Sequence, residues 1–210
     1  MKKIIFIFCF LISILSCKEN DEYNTGGGGG GYTGPILYNC TNAVYPDWEL
    51  SLYVLPYPAG STYKVDLNNC SSSYHAPGYP DQFATDFNMP IGSIVTASRA
   101  GTVVYVEDSG DDFQTEINNL VVVSHGGGIY SQYMHLTKNG ALVDVGDNVN
   151  QGNILGYSGA TGLAGYPHLH FVVTYGAANW EYPYNSVPVN FSNTTPNPTG
   201  LSQGEFYTAL

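Results

Sequence analysis

Gly165-Tyr166-Pro167-His168-Leu169-His170-Phe171-Val172-Val173 carries two histidines into an apolar, β-branched run, directly after a Gly and a Pro. This composition predicts a strand over 170–175, entered through the His-Leu-His segment. On extended backbone, residues i and i+2 point to one face, so His168 and His170 project together while Leu169 turns to the core. Two imidazoles on one face suit a metal ligand with an acid–base group beside it. A chance pair on a solvated strand is the plainer reading of this segment alone. The pair accounts for two of only five histidines in 210 residues.

Outward from this segment the same pattern repeats. Short β-branched and aromatic runs at 50–55, 62–66, 93–97, 101–107, 119–125, 129–136 and 155–158 alternate with Gly, Asn and Pro breaks, and no segment holds a helical period. The polar stretch 108–118 reads as a hairpin excursion. Pro183, Pro188 and the Asn193-Thr194-Thr195-Pro196 turn predict an irregular C-terminal tail. The chain is therefore expected to be all-β, as a sandwich or a barrel.

The N-terminus reads as an export signal over residues 1–16: Lys2 and Lys3 precede an apolar stretch too short to span a bilayer. It ends Ile14-Leu15-Ser16-Cys17, which resembles a bacterial lipobox, with Cys17 as the lipidated first residue; a plain secretory signal is the alternative. Lys18 stands where an inner-membrane retention Asp would, so the expectation is an outer-membrane lipoprotein, facing the periplasm or the surface. Residues 17–31, ending in six glycines, form a tether with nothing to bury. Beyond it lie roughly 180 residues, one domain of ordinary size.

The formal net charge is −11, and no basic stripe is present, which argues against nucleic acid as a partner. No oligomerisation signal is visible, so a monomer is expected. Cys40 and Cys70 remain as a pair in an oxidising compartment, where a disulfide or two buried thiols are the choices.

Five further segments complete a family resemblance. Asp86-Phe87-Asn88-Met89-Pro90, Asn119-Leu120-Val121-Val122-Val123-Ser124-His125-Gly126, Tyr133-Met134-His135-Leu136, Val145-Gly146-Asp147 through Gly152, and Gly156-Tyr157-Ser158-Gly159 precede Pro167-His168-Leu169-His170-Phe171. In order and spacing, over roughly residues 75–173, the chain resembles the lysostaphin-like (LytM-type) zinc endopeptidases. The resemblance implies an antiparallel β-sandwich of the duplicated hybrid motif type. It divides the chain into an N-terminal β segment (32–74), a metallopeptidase core (75–180) and a C-terminal tail packed on the core (181–210).

It also implies roles. Asp86 and His170 match two of the three Zn2+ ligands, and His135 and His168 match the two non-ligand catalytic histidines. Most members carry the remaining ligand His four residues before the Asp, where this chain has Gln82, and an amide is a poor zinc ligand. A branch with Asp-Phe-x-Met-Pro looks to carry that His farther upstream, after a Ser-rich stretch. Ser71-Ser72-Ser73-Tyr74-His75 fits that branch, with 76–80 as a turn-rich loop that returns His75 to the metal.

Other residues read as structural. His125 precedes three glycines and suits a hairpin or a place near the cleft. Asp108, Asp111 and Asp112 lack the order of a calcium loop, and Ser158 lacks the second Gly of a nucleophile elbow. The expected function is a zinc metalloendopeptidase that cuts peptide cross-links or stem peptides of peptidoglycan. The alternative is a non-catalytic envelope lipoprotein of the same fold that binds peptidoglycan or activates an amidase.

Overall fold

A computed structural model describes residues 39–176 and 180–210. The expected leader, Cys17 and the glycine tether lie outside the described residues. Among these residues there is no α-helix; twelve strands form two antiparallel sheets. The large sheet runs β12(Phe206–Thr208)-β1(Thr62–Leu67)-β2(Thr85–Asn88)-β10(Leu169–Tyr175)-β6(Ile129–Met134)-β5(Leu120–Ser124)-β4(Gly101–Glu107)-β8(Asn148–Val149), with β11(Asn185–Ser186) also paired to β10. The small sheet is β3(Ile94–Thr96)-β9(Ile154–Ser158)-β7(Leu136–Ala141).

β10 lies at the centre and shows why this packing forms. Leu169, Phe171 and Val173 point into the main core with Val65, Phe87, Val95, Val121, Tyr133 and Leu155. Burying each such side chain stabilises by about 1.5–3 kcal/mol. The alternate residues face the other way, and Val172 packs in a small second core with Ala84, Met134 and Tyr184. One strand thus anchors the sandwich on one face and leaves the other for His170.

Three sequence expectations are corrected. The strand expected at 50–55 does not form: the 3-10 turn Trp48–Leu50 overlaps its start, and 51–55 join no strand. Its backbone groups are divided among several partners: Val54 N–H donates to the Ser98 carbonyl, Leu55 N–H to Asn193 Oδ1, and the Tyr53 carbonyl accepts from Ser192 N–H. No single neighbouring strand can then form a ladder. The strand expected at 129–136 is two strands, β6 and β7, in different sheets. They break at His135, whose φ of 64° lies in the left-handed region, a conformation uncommon outside glycine. The tail is irregular for most of its length but contributes β11 and β12, and β12 closes the edge of the large sheet against β1.

The disulfide option holds: Cys40 and Cys70 are bonded across a 30-residue separation. His125 lies between β4 and β6, where its Nδ1–H donates to the Ala100 carbonyl and its Nε2 accepts from Ser131 Oγ. Of the acidic loop, Asp111 pairs with Lys138, and Asp112 accepts from Thr137 Oγ1 and from Ala160 N–H. Ser158 Oγ donates to the Pro90 carbonyl.

Two outcomes follow. Replacing both cysteines by serine should lower the unfolding free energy by about 3–4 kcal/mol in the loop-entropy account, read from denaturant curves. Burial pushes the His125 imidazole down to about 4, below its unfolded value of about 6.5. Between these values the unfolded chain binds a proton that the native chain refuses, so stability falls as pH drops from 6.5 to 4. His125→Gln should flatten that part of the thermal-melting profile; an unchanged slope would show that His125 does not contribute to it.

Candidate metal centre and catalytic cleft

β2 and β10 place the first two residues. Asp86 and His170 are direct partners across this antiparallel pair, and their side chains leave the sheet on one face. His170 Nδ1 is 2.9 Å from Asp86 Oδ1. Main-core Phe87 and Leu169 stand beside them in sequence on the opposite face, so the alternation that builds the core also aims this pair.

His75 reaches the same point from outside the sheets. It ends the 3-10 turn Ser73–His75, is only 1% exposed, and sets Nε2 3.3 Å from Asp86 Oδ1. Its Nδ1 is buried without a hydrogen-bond partner, and such burial costs energy. The loop before β2 makes this approach possible. Cys70 N–H donates to the Gln82 carbonyl, and Gln82 Oε1 accepts from Gly78 N–H. Gln82 therefore braces the loop that delivers His75.

His75, Asp86 and His170 each offer one ligand atom, and these atoms all lie within 4.8 Å of one another. Ligands at the usual zinc distances of about 2.0–2.2 Å stand roughly 3.3 Å apart on a tetrahedron. The 2.9 and 3.3 Å separations here fit that scale. Two imidazoles and a carboxylate are also a donor set suited to zinc with one position left open. The residues present therefore fit the metal.

His135 and His168 flank this trio. Their rings are 4.7 Å apart, and His135 lies 5.8 Å from His170. His168 Nε2 is 3.8 Å from Asp86 Oδ2, and the ring stacks on Tyr166 at 4.7 Å. It is held in place because His168 N–H donates to the carbonyl of Gly159. A Cβ on Gly159 would stand 2.4 Å from the Thr137 backbone nitrogen, so only glycine can lie this close to Thr137. Each ring then meets a carbonyl: His135 Nδ1 lies 2.7 Å from Thr161 O, and His168 Nδ1 lies 2.8 Å from Tyr166 O. A carbonyl only accepts, so both rings carry hydrogen on Nδ1 and keep the Nε2 lone pair.

The electrostatics separate the residues. Burial, then His168 and His170 nearby, pushes His135 down to about 3. Burial lowers His168 as well, against the pull of Asp86. For His170 burial acts the same way, but the Asp81 and Asp86 carboxylates outweigh it and carry the imidazole up to about 10. Burial raises the Asp86 carboxyl, yet hydrogen bonds from His170 and His75 prevail and hold it well below the usual carboxylate range. Asp81 is also lowered despite burial, chiefly by His170.

All five residues named from the sequence line one cleft of about 860 Å3, whose walls include Tyr74, Tyr105, Tyr166, Trp180 and Tyr182. His125 and Gln82 do not line it. Sequence reasoning missed Asp81 and Tyr184. Asp81 Oδ1 lies 3.3 Å from His170 Nε2 and accepts from the Tyr184 hydroxyl at 2.5 Å. No local motif marks either residue.

Comparison with known proteins adds a lineage. The model of Peptidase family M23 matches residues 81–190, a span that begins after His75. The chain is 34% identical over 117 residues to the peptidoglycan DD-endopeptidase ShyA of Vibrio cholerae, covering 55% of this chain and 26% of that protein. It is 36% identical over 111 residues to the glycyl-glycine endopeptidase ALE-1 of Staphylococcus capitis, covering 50% and 29%. The chain thus spans less than a third of the length of either relative. Among solved structures it is similar to lysostaphin from Staphylococcus simulans, with 29% identity, coverage of 56% and 44%, and a TM-score of 0.44.

Proposed function

Because the chain belongs to peptidase family M23, we propose that it is a zinc-dependent endopeptidase that cuts the peptides of bacterial peptidoglycan. The observation that carries this reading is the cleft itself: a three-residue donor set within 4.8 Å, with two neutral imidazoles against it. The names of the relatives, a peptidoglycan DD-endopeptidase and a glycyl-glycine endopeptidase, support the substrate class. The lipobox-like leader suggests a Gram-negative envelope, and for that wall the cross-link between stem peptides is the bond we assign. In this reading the protein is a monomer held at the outer membrane by lipid on Cys17.

His75, Asp86 and His170 would hold the metal. Zinc with three protein ligands acidifies a water in its open position and polarises a carbonyl. The remaining work falls to the chain. His135 and His168 keep their Nδ1 hydrogens on the Thr161 and Tyr166 carbonyls, so each presents Nε2 to the cleft as an acceptor. Burial keeps both rings neutral at neutral pH, and either can take the proton of an attacking water. The ring that takes it becomes a donor at Nε2. It can then face the developing oxyanion or deliver the proton to the departing amine. Positioned proton transfer of this kind contributes about 10²–10⁴-fold in rate.

The full chain should hold one equivalent of zinc. His75→Ala, Asp86→Ala and His170→Ala should each lose it, by elemental analysis after dialysis. A His75→Ala variant that keeps zinc and cleaves would remove His75 from the ligand set.

His135→Ala and His168→Ala should retain zinc and lose at least about 100-fold in hydrolysis. Digestion of purified peptidoglycan with mass analysis of the fragments tests activity and names the bond. Binding to the wall with no fragment released would favour the non-catalytic alternative.

A further inference from the structure

His170 has two ring nitrogens and two acidic neighbours, on opposite sides. Nδ1 lies 2.9 Å from Asp86 Oδ1, whereas Nε2 lies 3.3 Å from Asp81 Oδ1. A neutral imidazole carries one hydrogen, and the nitrogen without it is the one that can bind a metal. If Nδ1 is to serve the metal, the hydrogen must sit on Nε2 and needs an acceptor there. An ionised carboxylate accepts only. Asp81 therefore faces the nitrogen that turns away from the metal position, and is placed as a partner of the ligand rather than as a ligand.

Asp81 is itself held. The Tyr184 hydroxyl donates to the same Oδ1, and the Tyr184 ring is buried with Ala84, Met134 and Val172 in the second core. The Asp81 backbone is pinned too, because its carbonyl accepts from Ala84 N–H in the turn that leads into β2. The geometry points to Asp81 and Tyr184 as positioning residues that fix the His170 ring with hydrogen on Nε2 and Nδ1 turned to the metal position. This rests on the zinc reading above. Packing of a phenol ring sets a hydroxyl, the hydroxyl sets a carboxylate, and the carboxylate sets the tautomer and angle of the imidazole. Partners of this kind behind a metal-binding histidine typically change metal affinity by about 10–100-fold.

The test measures zinc affinity of the full chain by competition with a chromophoric chelator, beside 15N–1H imidazole spectra of the zinc-loaded protein. Asp81→Ala should weaken zinc by about 10–100-fold and, at saturating metal, remove the Nε2–H signature of His170. Asp81→Asn, whose amide oxygen still accepts, should recover part of both. Tyr184→Phe keeps the packed ring and loses only the hydroxyl, so it should weaken zinc by about 2–10-fold with little change in metal-free melting. It decides the matter if Asp81→Ala does not fold. Zinc affinity within twofold of wild type in Asp81→Ala, or in Tyr184→Phe where Asp81→Ala does not fold, with the Nε2–H form of His170 intact, would overturn the inference. A wild-type chain that takes no zinc would overturn the metal centre as well as its positioning.

Discussion

Asp86 is a carboxylate buried to 4% exposure with three imidazoles within reach, and the site depends on how its charge is met. Removing an ion from water costs several kcal/mol unless partners surround it. His170 supplies one from the facing strand at 2.9 Å and His75 one from a loop at 3.3 Å, while His168 waits at 3.8 Å. The protein gathers these rings from residues 75, 168 and 170 around one negative charge. The sheet order that sets β2 beside β10 is what makes that gathering possible.

Much of this was legible in local pattern. The alternation around Leu169, Phe171 and Val173 set the main-core face of β10, and it therefore set the opposite direction for His170. His135 was legible as a candidate but not as a corner. A run of apolar and aromatic residues from 129 to 136 gives no sign that the chain turns left-handed at 135 and changes sheets. That conformation is imposed by tertiary partners, since His135 N–H donates to Asn118 Oδ1 and Leu136 N–H to the Asn119 carbonyl. The segment after Leu50 failed as a strand for the same reason: a ladder needs a neighbour, and composition does not name one.

The supporting shell was the least legible part. Asp81 and Tyr184 are separated by 103 residues and meet only because the tail folds back beside β10. A sequence motif records residues that stand at fixed spacing, and a hydrogen bond between remote loops leaves no such spacing. Gln82 shows the converse. Its amide braces the loop, and the intervening turn is long enough to bring His75 back to Asp86.

The cystine between residues 40 and 70 also sets a load path. Cys40 is near the start of the described fold and Cys70 is five positions before His75, so the bond bypasses β1 entirely. A pull applied to the chain at Cys40 reaches the His75 loop through two sulfur atoms without first unzipping β1. Tension entering there would be delivered beside the candidate metal centre, at the crosslink that ends five positions before His75.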